Sequence, residues 1–167
     1  TPAWVWEEWS RSGDGDFAYA MGDKARFRVN IFRQEHGPGA VLRMIPPRVL
    51  TVEDLGLPEQ VAAVGRTMRG LVLITGPTGS GKSTTLAALI DRINRTKAYH
   101  VVTIEDPVEF VHVSQQSIMT HRELGPDTPT FTAALKAALR EDPDAVLVGE
   151  LRDLETMRMA LHAAETG

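Results

Sequence analysis

"LVLITGPTGSGKSTTLAALID", residues 71–91, holds the pattern that decides the fold. Leu71 to Ile74 is an apolar run, and "LVLITG" (71–76) predicts a buried strand. Gly81 to Asn94 carries a helical pattern. Between them "GPTGSGKS", Gly76 to Ser83, fits the phosphate-loop template G-x-x-x-x-G-K-[ST] at every position, in the strand-to-helix context the template requires. The glycines let the backbone turn so that its N–H groups converge on phosphate oxygens. The helix N-terminus adds a favourable dipole. Lys82 can reach the outer phosphates, and the Ser83 hydroxyl can ligate Mg²⁺. The candidate nucleotide-binding residues are therefore Gly76, Pro77, Thr78, Gly79, Ser80, Gly81, Lys82, Ser83 and Thr84.

Downstream the strand–helix alternation continues. "HVVTIED" (100–106) predicts a second strand, Thr130 caps a helix running to about Arg140, "AVLVG" (145–149) predicts a third strand, and Asp153 caps a final helix. Apolar strands alternating with helices indicate an α/β fold with a parallel sheet covered on both faces.

Catalytic acids are expected at the C-terminal ends of such strands. "TIEDPVE" (103–109) supplies Glu105, Asp106 and Glu109, with Pro107 turning the chain out of the strand. The third strand ends in Gly149 and Glu150. Gly149 stands where a P-loop enzyme usually places its metal-holding Asp, and Glu150 comes one place later. One carboxylate must orient or deprotonate water, and another must support Mg²⁺. Glu105 and Asp106 can equally serve as local turn and capping acceptors.

Upstream the pattern differs. Trp4, Trp6 and Trp9 suit core packing, and Ser12 to Gly15 is turn-rich. "KARFRVNIF" (24–32) alternates, with Phe27, Val29 and Ile31 on one face and Arg26, Arg28 and Asn30 on the other. "EHGPGA" (35–40) makes a turn and "AVLRMI" (40–45) a second strand, so the pair forms a hairpin. "TVEDLGLPEQ" (51–60) is a linker, and Val61, Val64 and Met68 mark a short amphipathic helix. The expected division is 1–57, part of a small α+β domain with its linker, and 58–167, the nucleotide-binding core.

Of 167 residues, 43% are apolar and 24% charged, as in ordinary soluble domains. The net charge of −4 argues against a broad nucleic-acid surface. There is no Cys, which excludes disulfides and thiolate metal sites. No stretch approaches the ~20 apolar residues of a membrane span. His36, His100, His112 and His121 form no metal-ligand pattern, and no zinc is expected.

These motifs together resemble the secretion ATPases of type II secretion and type IV pilus systems. "GPTGSGKSTTLAALID" (76–91) is similar to their P-loop, "TIEDPVEFVH" (103–112) to their Asp box, and "ALREDPDAVLVGELRDLETMRMALHAAETG" (138–167) to their Walker B region running toward a His box. "ARFRVNIFRQ" (25–34) with "GAVLRMIP" (39–46) is most similar to the pilus-retraction, twitching-motility branch. The resemblance implies a RecA-like core after a partial PAS-like N-terminal domain, the core being incomplete on its C-terminal side.

It further implies an ATP- and Mg²⁺-dependent motor of the cytoplasm. That motor would be a homo-hexamer held at the inner membrane through a pilus platform protein. Gly149-Glu150 matches the family's Walker B ending. Glu150 then supports Mg²⁺ and water, and Glu109 corresponds to the Asp-box glutamate taken as general base. Arg28 and Arg43 match arginines that sense the γ-phosphate. The hairpin supports that last assignment. It places Arg28 and Arg43 nearly opposite one another, which is unfavourable unless an anion lies between them. Alternatives are a pilus-assembly or type II secretion ATPase, a nucleic-acid translocase, and a non-catalytic nucleotide-binding fragment. His162, on a polar face with Glu155, Arg158 and Glu165 opposite Leu154, Met157, Leu161 and Ala164, is expected to be solvated or at an interface.

Overall fold

Two three-stranded sheets organise the computed structural model, which describes residues 1–22, 24–66 and 69–166. Helix α1 (Ala3–Ser12) leads into an antiparallel sheet of β1 (Asp14–Met21), β2 (Ala25–Gln34) and β3 (Gly37–Ile45), with β2 in the centre. The alternation of "RFRVNIF" has the expected effect. Val29 is buried with Phe17 of β1 and Val5 of α1, and Phe27, Ile31 and Trp4 pack around them. The β2–β3 register pairs Arg28 directly with Arg43, as the hairpin predicts. β1 and α1 were not legible as elements, because the Ser12–Gly15 turn signals and the Trp cluster hide them.

The second sheet is parallel, in the order β5-β4-β6, from β4 (His100–Glu105), β5 (Ile118–Glu123) and β6 (Ala145–Val148). Helices α3 (Lys82–Thr96), α4 (Phe131–Ala138) and α5 (Leu154–Thr166) follow the P-loop and the later strands. Capping at α4 is as expected, with the Thr130 hydroxyl accepting from Ala133 N at 3.0 Å. At α5, Asp153 accepts from both Thr156 N and the Thr156 hydroxyl at 2.7 Å. That cap also sets the facing of α5. Thr156 is held against the Thr132 hydroxyl of α4, 3.1 Å away, and Ala160 joins the core with Leu135 and Ala138. Small residues therefore form the α4–α5 contact, whereas Leu154 and Leu161 of the expected apolar face are exposed. His162 is exposed.

Two expectations are corrected. Leu71–Gly76 is not a strand here. Leu71, Val72 and Leu73 are 41%, 47% and 61% exposed and enter neither sheet. An extended run becomes a strand only through a neighbour's hydrogen bonds. Among the described residues β6 is paired to β4 alone, and its other edge is open. Only Ile74 of the run packs inward, against a cluster of Val52, Ala62, Ala88 and Leu89 that also takes in Leu55 and Leu57 of the expected linker. The second correction concerns the helix before Gly70. It is a single turn, α2 (Glu59–Ala62), continued by a 3₁₀ segment, Ala63–Arg66, and its buried residue is Ala62 rather than Val61 or Val64. Gly65, a poor helix former, falls in that segment. Met68 lies outside the described residues.

One buried residue holds the segment that leads into β5. Asn94 of α3 is fully buried. Its amide donates to Val113 O at 2.8 Å and accepts from Gln115 N at 3.0 Å, while its backbone carbonyl accepts from Gln116 N and Ser117 N. The irregular stretch before β5 thus satisfies its backbone groups on one helix residue. Asn94→Ala empties a fully buried polar position and takes the partners from the Val113 carbonyl and the Gln115 N–H. It is expected to lower unfolding free energy by about 2–4 kcal/mol, measured by urea denaturation. A loss below about 1 kcal/mol would mean that water replaces both bonds.

Candidate functional site

Parallel strands bring their C-terminal ends to one edge, and here that edge is acidic. Glu105 of β4 stands in register with Glu123 of β5, and β6 ends one residue before Gly149. Asp106, Pro107, Val108 and Glu109 then leave β4 across this edge. Glu109 N donates to the Glu105 carboxylate at 3.4 Å, and Val108 N to the Glu123 carboxylate at 3.0 Å.

Burial pushes the Glu105 carboxyl up to about 7, with the neighbouring Glu109 and Glu123 charges adding to the rise and hydrogen bonds from Glu109 N and Thr103 opposing it. Burial also raises Asp106, against the pull of Arg28, and raises Glu123, against the Val108 N–H and Arg26. The edge is thus a cluster of carboxylates partly withdrawn from water.

The antiparallel sheet answers it with arginines. Arg28 of β2 pairs with Glu109 at 3.7 Å. Arg26, two residues earlier on the same face, donates twice to Val108 O, at 3.2 and 3.0 Å, and pairs with Glu123 at 3.6 Å. Trp4 of α1 adds an apolar contact, lying so close to Gly125 that a Cβ there would come within 2.9 Å of the ring. Arg43 is exposed and joins no ion pair among the described residues, although its Cα sits opposite that of Arg28. The structure therefore brings Arg28 to Glu109 and leaves Arg43 at the rim.

Gly149 packs closely against the end of β4. Gly149 N donates to Ile104 O at 2.8 Å, and a Cβ at residue 149 would lie 3.3 Å from that oxygen and 3.4 Å from Glu105 Cα. A Cβ there would sit tightly against the end of β4, and the carboxylate of this segment stands one residue later, at Glu150. Glu150 is about one-third exposed and pairs with Arg152 at 2.8 Å.

Residues 76–83, the candidate phosphate loop, turn on three glycines. Gly76, Gly79 and Gly81 all have positive φ, and Gly81 is the N-cap of α3. The Lys82 ammonium donates to Gly76 O at 2.9 Å and Pro77 O at 3.0 Å, folding back over its own loop. Neither Lys82 nor Ser83 bonds to Glu105, Glu109 or Glu150 in this structure.

A family model for "Type II/IV secretion system protein" matches residues 12–167. The chain belongs to this family. It is 59% identical over 152 residues to the type IV pilus retraction ATPase PilT of Pseudomonas aeruginosa, covering 91% of this chain and 44% of that protein. It is 55% identical over 152 residues to a twitching motility protein of Neisseria gonorrhoeae, covering 91% and 41%. A crystal structure of the pilus retraction motor PilT with bound ADP superimposes with a TM-score of 0.94 at 48% identity, covering all of this chain and 49% of that one. The chain thus spans less than half the length of these relatives.

Within this family member the sequence reading missed Arg26 and Glu123 as parts of the site. Arg26 was visible as a cation on the polar face of β2, though nothing showed what it faced. Glu123 was hidden because "IMTHRE" (118–123) has no apolar alternation and β5 went unrecognised.

A folded-state value of about 7 against an ordinary 4.5 makes the Glu105 carboxyl a pH-dependent liability. Below pH 4.5 both states hold the proton and there is no effect. Between pH 4.5 and 7 the unfolded chain ionises first, so stability falls as pH rises, and above 7 the full loss, roughly 3 kcal/mol, is in place. Glu105→Gln keeps an acceptor for Glu109 N and cannot ionise. It is expected to melt higher than the parent at pH 8 and almost equally at pH 4. Equal melting differences at the two pH values would place the ionisation elsewhere.

Proposed function

We propose that this chain is the nucleotide-binding part of an ATP-hydrolysing motor subunit that drives type IV pilus retraction. A division near residue 57 separates the sheet that closes over the nucleotide from the core that holds it. The observation that carries the reading is the Arg28–Glu109 pair. It puts a cation of the antiparallel sheet against a carboxylate of the P-loop core, the arrangement needed if a γ-phosphate is to be gripped from one side and attacked by water from the other. The identities to a retraction ATPase and a twitching motility protein support the direction of the motor.

Residues 76–84 cradle the phosphates through backbone N–H groups, and Lys82 exchanges its two loop carbonyls for phosphate oxygens. Ser83 and Glu150 fit Mg²⁺ as hard-oxygen donors. Among the described residues no cluster of three or more His, Cys, Asp or Glu forms a metal cage, so the donor set suits an ion carried in largely by the nucleotide and water. When bound, Mg²⁺ neutralises charge on the phosphate oxygens.

Glu109 takes the proton from the attacking water as the β–γ phosphoanhydride bond breaks, releasing phosphate and ADP. Arg28 and Arg43 turn to the γ-phosphate, which supplies the anion their opposed positions on the hairpin call for. Leaving Glu109, Arg28 frees that carboxylate for water. The whole motor is a homo-hexamer on the cytoplasmic side of the inner membrane, docked on the pilus platform protein.

Three measurements on the full-length protein separate these roles. Lys82→Ala is expected to weaken ATP and ADP binding. Glu109→Gln should bind ATP normally and turn over at least ~10²-fold more slowly; near-normal turnover would move the base role to Glu105 or Glu150.

Arg28→Ala and Arg43→Ala are each expected to slow hydrolysis more than they weaken ADP affinity, since ADP lacks the γ-phosphate. Unchanged ATPase rates in both variants would leave them as surface arginines. In cells, loss of the protein should abolish twitching while surface pili persist; loss of the pili themselves would identify an assembly motor.

A further inference from the structure

We propose that Arg26 is a positioning residue, which with Glu123 holds the backbone of Val108 by its carbonyl and its N–H and so lets the antiparallel sheet set the place of the Glu109 carboxylate. The inference rests on the reading of Glu109 as the base. Val108 immediately precedes Glu109, and its carbonyl and its N–H, which belong to the two peptides flanking it, are both bonded. Its carbonyl accepts from Arg26 Nε and Nη2, at 3.2 and 3.0 Å, and its N–H donates to Glu123 at 3.0 Å. Arg26 and Glu123 also pair with each other at 3.6 Å, closing a ring of contacts around the Val108 backbone.

This is not a surface ion pair of little consequence. The Arg26 side chain is 27% exposed and that of Glu123 15%. The Val108 side chain is itself buried, anchoring the residue from a third direction. The two elements that grip it belong to different sheets, since Arg26 is on β2 and Glu123 on β5. Among the described residues, the other polar contacts of Glu109 are the long 3.4 Å bond from its N–H to Glu105 and the pair with Arg28, both of whose side chains are about one-third exposed. The fork of a guanidinium suits this task, because two of its donors reach one carbonyl while the charge faces Glu123. A shift of β2 relative to the parallel sheet would therefore move Glu109 through its own backbone, besides moving Arg28.

The test uses full-length protein, with MgADP affinity, ATP KM, kcat and thermal melting measured for each variant. Arg26→Ala is expected to lower kcat about tenfold or more, as misplacement of a reacting group does, with ADP affinity and KM within about twofold. Arg26→Lys should recover part of the loss by donating to Val108 O. Glu123→Ala should match Arg26→Ala, and the double variant should be little worse than either, because both remove one clamp. In a Glu109→Gln background, Arg26→Ala should have almost no further effect.

A normal kcat in Arg26→Ala overturns the proposal, as does a KM rise exceeding the kcat loss, which would make Arg26 a nucleotide contact. An undiminished loss in the Glu109→Gln background also overturns it. If Arg26→Ala fails to fold, Arg26→Gln and Arg26→Lys are read by the same criteria. Near-normal turnover in Glu109→Gln alone would instead refute the base assignment and leave the clamp to be judged by the kcat of the Arg26 variants.

Discussion

The structure turns on a charge problem at the edge of the parallel sheet. Glu105, Glu123, Asp106 and Glu109 gather where β4 and β5 end, because parallel strands in register must deliver their last residues to the same edge. Burial raises the first three. Such a cluster is tolerable only if cations face it, and β2 supplies Arg26 and Arg28 from the other sheet. The contact between the two sheets is therefore electrostatic at its centre, with the Trp4–Gly125 packing as its apolar flank.

That composition suits a joint that opens and closes. An apolar interface of the same size would resist water entering it. Partly exposed ion pairs exchange protein partners for water or phosphate at modest cost. Arg28 is the more exchangeable of the two arginines, being one-third exposed and bound only at 3.7 Å, whereas Arg26 carries two hydrogen bonds to backbone. One strand thus presents a loosely paired cation beside one bonded twice to backbone.

Packing elsewhere follows from small residues and caps. Asp153 and Thr156 orient α5 so that Thr156 meets Thr132 and Ala160 joins the core cluster of Leu135 and Ala138, and the larger Leu154 and Leu161 are left outward. Gly149 plays a related part at the site, where the residue after β6 packs closely on the end of β4 and donates to Ile104 O, with Glu150 following it.

Local chemistry alone determined the features that depend on neighbours in sequence. The P-loop spacing, the Thr130 and Asp153 caps, the apolar β4 and β6, and the alternation that sets the β2–β3 register are all readable along the chain. What depends on partners distant in sequence was decided only by the tertiary structure. Leu71–Leu73 has a strand's composition but no strand beside it, and backbone hydrogen bonds, not hydropathy, make a strand. β5 is too polar to betray itself, and the segment that leads into it is held by Asn94, more than twenty residues before the strand. Arg26 looked like one more charge on a solvated face. Only the fold puts the Val108 carbonyl within its reach, since a sequence specifies which groups can donate or accept but not which of them will meet.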